Sequence, residues 1–335
     1  TTRLVGSEMC IRDRYISYYK RFGEDARMQN KNYLYNNYLN MARNLRTENN
    51  LLKALSFYKK AYNLEIGKKD IELLIDMALI YDEIGLKSEA EEKYFEVIEL
   101  DKDEARAYYG LAIIYDDNDE LGTAKKYYEK AIEKNPNYDK AYFFLANIYD
   151  IWDDRENAIH NYKKSIDINP NELWAYANLS CIYEEQKEYE KALEYIEKAL
   201  DIDKNNYKIL FNKGVILNKL NRVEESKEYY KKSIEVNPKY PYSFLNLAVM
   251  YKENKEYEKA IHIINEGIKE NEEQGFLYYN RACFNVHIDK NEEAFYDIKR
   301  SIELDELFFD YMKKDSELDP IRKLEEYKKF MEYRK

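Results

Sequence analysis

The sequence predicts an all-α fold, a solenoid of stacked helical hairpins, on three observations. Small residues recur every 34 positions, the composition suits helices joined by short turns, and three prolines share one phase of the repeat. Of 335 residues, 45% are hydrophobic and 36% charged, with only 9 Gly and 5 Pro. Such a chain can bury a sizeable core, and the scarcity of turn residues argues against sheets and against disorder.

The small residues form two series. One runs Ala54, Ala90, Ala124, Ala158, Ala192, Ser226, Ala260 and Ala294, in steps of 34 after a first step of 36. The other lies twelve residues earlier, at Ala42, Ala78, Ala112, Ala146, Ser180, Gly214, Ala248 and Ala282. Each repeat therefore reads as two amphipathic helices crossing closely at a pair of small residues. A larger side chain there would overpack, at a cost of about 1–3 kcal/mol. Bulky residues keep fixed offsets. Tyr58, Tyr94, Tyr128, Tyr162, Ile196, Tyr230, Ile264 and Ile298 follow the first series by four, and Leu45, Tyr81, Tyr115, Tyr149, Tyr183, Leu217, Tyr251 and Asn285 follow the second by three. Pro136, Pro170 and Pro238 close their units, since proline cannot continue a helix. One hairpin cannot bury its own apolar face, so neighbours must stack.

The units AYYGLAIIYDDNDELGTAKKYYEKAIEKNPNY and AYANLSCIYEEQKEYEKALEYIEKALDIDKNN resemble the tetratricopeptide repeat family. The resemblance implies a right-handed solenoid of eight units over 35–70, 71–104, 105–138, 139–172, 173–206, 207–240, 241–274 and 275–308. The first and last units depart most, with Leu45 and Asn285 where most others have Tyr, as end repeats do. Residues 309–335 are expected to form a C-terminal capping helix; the ending DSELDPIRKLEEYKKF is similar to closing segments of the family.

The beginning reads differently. LVGSEMCIRDR, Leu4–Arg14, has no place in the repeat and lacks the apolar core of a signal peptide. It resembles the translation of a transposon adapter used in sequencing libraries. Residues 1–14 are therefore expected to be adapter-derived, Cys10 among them, and residues 15–34 to be an N-terminal helix or partial repeat. On this reading the native start is missing, and localisation is unknown, with the cytoplasm as the default.

Composition excludes several functions. A net charge of −11 argues against nucleic acid, whose phosphates need a cationic surface. No apolar run approaches the roughly 18–20 residues of a membrane span. The three cysteines form no close-spaced pair, which leaves no disulfide framework and no structural zinc site. Phosphate-binding, dinucleotide-binding, zinc-protease and serine-hydrolase motifs are absent from the sequence, and no cofactor is expected. The one suggestive pair, Cys283 and His287, shares a helix face, but two ligands are too few for zinc. The expectation there is a groove-lining thiol beside a solvated imidazole, and the chain as a whole is not expected to be an enzyme.

The resemblance implies a partner, because first helices in this family line a concave groove for peptides or protein segments. Its sixth positions here include Asn178, Asn212, Asn246 and Asn280, similar to the asparagine ladder of O-GlcNAc transferases. Primary amides both donate and accept, which suits a peptide backbone. The same residues also fit a solvated helix face. Trp174, Phe211, Tyr242, Phe276 and Tyr279 flank the row, either as hot-spot contacts or as packing between helices. Glu72, Asp76, Asp82, Glu83, Asp116, Asp117, Asp150, Glu184 and Glu185 make the N-terminal half acidic, a charge that keeps the groove solvated or attracts a basic segment. A second mode, the carboxylate clamp of co-chaperones, finds Asn147, Asn178 and Lys208 in place but Phe143 and Asn212 where cations are required.

The reading is thus a non-catalytic protein-interaction scaffold with a protein or peptide ligand. Its alternatives are the repeat portion of a longer protein, such as a glycosyltransferase with an upstream domain, and the incomplete chaperone-tail clamp. Oligomeric state is left undetermined.

Overall fold

The computed structural model describes residues 30–334, so the expectations for residues 1–14 and for the start of the 15–34 segment lie outside it. Among the described residues every regular element is helical. The chain divides into two compact units at residues 168 and 169. Unit 1 holds α1 (30–47), α2 (Leu51–Tyr62), α3 (Ile71–Glu83), α4 (Lys87–Leu100), α5 (Ala105–Asp117), α6 (Leu121–Lys134), α7 (Asp139–Ile151) and α8 (Arg155–Ile168). Unit 2 holds α9 (Leu173–Glu185), α10 (Tyr189–Ile202), α11 (Tyr207–Lys219), α12 (Val223–Val236), α13 (Pro241–Glu253), α14 (Tyr257–Glu270), α15 (Gly275–Val286), α16 (Asn291–Leu304), α17 (Leu307–Lys314) and α18 (Glu325–Tyr333). Consecutive helices pair into hairpins, and within each unit the hairpins stack into an all-α solenoid. The two extra residues of the first repeat are absorbed by a 3₁₀ turn at Gly67–Lys69.

The small residues sit where the two helices of a hairpin cross. Ala78, Ala90, Ala112, Ala124, Ala146 and Ala158 are completely buried, as are their counterparts in unit 2. Where serine replaces alanine, its hydroxyl donates across the crossing: Ser180 to the Ala192 carbonyl at 2.9 Å and Ser226 to the Gly214 carbonyl at 2.7 Å. A buried hydroxyl needs such a partner, and a direct bond to the opposite backbone is possible only because the helices approach so closely. The tyrosines four residues beyond fill the adjoining space; Tyr58, Tyr128, Tyr162 and Tyr230 are among the largest fully buried side chains.

Two backbone devices set the repeat. Between the helices of each hairpin, one residue adopts a left-handed conformation: Asn49, Gly85, Asp119, Asp153, Lys187, Asn221, Lys255 and Asp289, with φ between 58° and 80°. The next N–H then bonds back over five residues, as from Glu120 to the Tyr115 carbonyl and from Glu188 to the Tyr183 carbonyl. This Schellman closure satisfies orphan carbonyls at the helix end. Between hairpins, an Asp or Asn side chain accepts the N–H two residues on: Asp101, Asn135, Asn169, Asp203 and Asn237, at 2.9–3.1 Å. These Asx turns fix the reversal into the next hairpin.

The C-terminal region differs from the single capping helix expected for residues 309–335. It folds as α17, two short 3₁₀ turns at Ser316–Leu318 and Ile321–Lys323, and then α18. Met312, Leu318 and Ile321 are fully buried against α15 and α16. Pro320 and the Asp315 cap interrupt what would otherwise be one helix, and Arg322 ties the break by donating to the carbonyls of Met312, Lys313 and Asp315.

Candidate functional site

In unit 2 the first helices α9, α11, α13 and α15 carry the predicted groove residues, and α9 packs directly on α11 and α13 on α15. At the start of each helix stand Trp174, Lys208, Tyr242 and Phe276. The Lys208 ammonium lies 5.9 Å over the Trp174 ring, and Tyr242 stacks on Phe276 at 5.3 Å. Phe211 packs against Tyr230 at 5.6 Å and edge-on against Tyr240 at 5.3 Å; Tyr240 in turn contacts Tyr207 and Tyr242. The result is a continuous aromatic patch that sequence reasoning saw only in part, since Tyr207 and Tyr240 lie just outside the helical positions considered.

Beside it runs the asparagine row, all half-buried. Asn212 reaches the Cys181 sulfur at 3.6 Å, Asn246 donates to the Tyr230 hydroxyl at 3.3 Å, and Asn280 donates to the Phe276 carbonyl of its own helix at 2.8 Å. Each bond engages one of an amide's two donor hydrogens, so acceptor and donor capacity remain. A recess of about 200 Å³ opens beside Asn246, lined by Val215, Asn218, Lys219, Tyr230, Val249 and Met250.

The C-terminal segment packs on this face at α15. Tyr279 donates to Asp315 at 2.7 Å and stacks on Phe308, while Lys252 pairs with Glu317. Cys283 was expected to line the groove, but it is buried, 3.9 Å from Asp315, and burial together with that carboxylate pushes its thiol far above the usual range. His287 stacks on Tyr257 at 4.7 Å and lies 3.8 Å from Glu317. The two do not form a reactive pair. The last unit's departure at Asn285 also has a structural cause: Arg281 forms a bidentate pair with the buried Asp297 at 2.6 and 2.8 Å, and Asn285 donates to the same carboxylate.

In unit 1 the acidic row is largely neutralised. Arg46 pairs with Asp76 at 2.9 Å and Glu83 at 3.3 Å, Lys87 with Asp82 and Asp117 at 2.5 and 2.6 Å, Arg106 with Glu72 at 2.6 Å, and Arg155 with Asp150. Asp116 accepts from Tyr128 at 3.0 Å, and burial raises its carboxyl above the ordinary range. Arg106 also clamps Glu104, holding that carboxyl below the usual range. Six of these acids thus have a cationic partner within unit 1. Asn147, a residue of the clamp motif, accepts from the buried Tyr162 at 2.6 Å. Gly110 stands at the position where unit 2 has asparagine, and the Tyr94 ring lies over it. A recess of about 320 Å³ results, lined chiefly by Ile75, Leu79, Tyr94, Tyr109, Ile113 and Tyr138.

No helix among the described residues is long and apolar enough to cross a membrane, and no cluster of three His, Cys, Asp or Glu is placed to hold a metal ion. The chain is similar to several solved structures. A MamA crystal structure is 30% identical over 49% of this chain and 94% of its own, with a TM-score of 0.44. PilF from Pseudomonas aeruginosa is 21% identical over 63% of this chain and 97% of its own, at a TM-score of 0.53. A tetratricopeptide repeat protein from Parabacteroides merdae is 18% identical over 72% of this chain and 97% of its own, at 0.55. The last two share the fold. No curated protein matches the chain. Family models described as tetratricopeptide repeat match residues 105–138, 139–172, 174–206, 207–240 and 229–262. The chain belongs to the tetratricopeptide repeat family.

Proposed function

We propose that this chain is a non-catalytic scaffold that holds an extended peptide or protein segment against the first-helix face of unit 2. Tetratricopeptide repeat proteins serve as protein-interaction scaffolds. The observation that carries the finer reading is the row of Asn178, Asn212 and Asn246 beside exposed aromatic rings, with Trp174 and Tyr242 42% and 48% exposed. Rings left in solvent at the edge of a helix stack contribute little to folding and are available to a partner. Asn280 and Tyr279 mark the α15 end of the site.

The test is replacement of Asn178, Asn212, Asn246 and Asn280 together by Ala. Each amide bond to a ligand is worth about 0.5–1.5 kcal/mol net, so the quadruple variant should lose at least about tenfold in affinity for a segment captured by the parent protein. Helical circular dichroism guards against a folding defect, because Asn246 also bonds Tyr230. Unchanged affinity in a folded variant refutes the reading.

A further inference from the structure

We infer that the segment held by unit 2 is a proline-rich stretch in the polyproline II conformation, with no Lys or Arg seated on Trp174. This inference rests on the groove reading above and adds the ligand's chemistry. The first argument is periodicity. Helices in direct contact have axes about 8–10 Å apart, and α9 touches α11 as α13 touches α15. A ligand crossing from α9 to α11, or from α13 to α15, therefore advances by about that much. A polyproline II helix rises about 3.1 Å per residue with three residues per turn, so every third residue returns to the same face in about 9 Å. A β-strand covers the same distance in three residues but alternates its faces. It would present opposite sides to equivalent positions on neighbouring hairpins.

The second argument is hydrogen bonding. Proline has no N–H, and a polyproline II backbone makes no internal bonds, so such a ligand offers only acceptors. The residues beside the aromatic patch are primary amides at Asn178, Asn212 and Asn246, and Asn212 and Asn246 each keep one donor hydrogen beyond the bonds to Cys181 and Tyr230. The third is charge. At the starts of the first helices the one charged side chain among Trp174, Lys208, Tyr242 and Phe276 is Lys208, whose ammonium lies over the Trp174 ring. That cation takes the place a ligand Lys or Arg would occupy on the indole and repels it. The patch of Tyr207, Phe211, Tyr240, Tyr242 and Phe276 presents flat apolar faces of the kind on which proline rings pack.

The test uses a capped decaproline peptide against a capped Ser/Ala peptide of equal length. Isothermal titration calorimetry reads binding anywhere on the patch. Decaproline should give a saturable heat that the Ser/Ala peptide does not, with little salt dependence. Tyr242→Ala combined with Phe276→Ala should weaken it at least tenfold while helical content is retained. Absence of saturable binding, or binding the double variant leaves intact, overturns the inference. A display library of random peptides separates this failure from that of the groove itself. Enrichment of prolines at every third position supports the inference. Enrichment of proline-free sequences that the quadruple Asn variant no longer captures overturns it and leaves the groove reading standing. Capture that ignores both sets of substitutions overturns the two together.

Discussion

Gly110→Ala sets two known effects against each other at one atom. Gly110 lies inside α5, where alanine is favoured over glycine by about 1 kcal/mol in helix propensity. Yet a Cβ built there would lie 2.1 Å from Cζ of Tyr94 and 2.5 Å from both Cε atoms. Tyr94 is only 3% exposed and packed in the core of unit 1, so its ring has little room to retreat. Overpacking of this kind costs about 1–3 kcal/mol, and so deep an overlap belongs at the upper end. The net expectation is a loss of about 2 kcal/mol after the propensity gain is subtracted. Urea unfolding followed by far-ultraviolet circular dichroism measures it. Gly122→Ala is the control, because nothing lies within 4 Å of its added Cβ and the change should stabilise by up to about 1 kcal/mol. Combining Gly110→Ala with Tyr94→Leu should show a coupling of about 1 kcal/mol or more, since the shorter side chain removes the clash. A neutral or stabilising Gly110→Ala would refute the claim that the ring is fixed on the helix backbone.

Other expectations follow from the same structure. Lys187→Gly and Lys255→Gly should each stabilise the fold by about 1 kcal/mol, because lysine pays a steric penalty in the left-handed region that glycine does not; thermal melts check this. Asp297→Asn should destabilise by about 3 kcal/mol, the lower end for a broken buried pair, since Arg281 keeps its bond to Asn265; urea midpoints measure it. Iodoacetamide at pH 8 should modify exposed Cys181 well before Cys283, whose buried thiol stays protonated, as peptide mass spectrometry over a time course will show.

The parts of the fold that depend on apolar size were legible. Ala112 against Ala124, and Tyr128 beyond them, follow from volume alone, and a 34-residue period repeated that signal many times. The backbone devices were not. Lys187 and Lys255 occupy left-handed positions without any glycine to announce them, and an Asx turn at Asp203 looks in sequence like one more surface acid. Their signal was present all the same, as a second 34-residue phase of polar residues. Electrostatics on the groove face was also beyond a linear reading. Arg106 neutralises Glu72 from 34 residues away and Lys87 reaches Asp117 across 30, so a sum of charges along one helix face omits partners supplied by the next hairpin. Cys283 escaped for a related reason: its cover comes from Asp315, 32 residues downstream, in a segment whose helical path was expected to be unbroken.

The short turn at Ser316–Leu318 has a mechanical consequence. It is anchored from below by Leu318 and laterally by Glu317 on Lys252, with Asp315 fastened to Tyr279. On the proposed function, a segment lying along α9, α11 and α13 meets this barrier at α15 and ends there or veers outward. The proposed track is then a cul-de-sac rather than a channel, and a segment held there does not slide through it end to end. Release has to occur by lifting away sideways, so dwell time would be set by how many residues peel off before the rest let go, and not by the length of tail trailing beyond the stop.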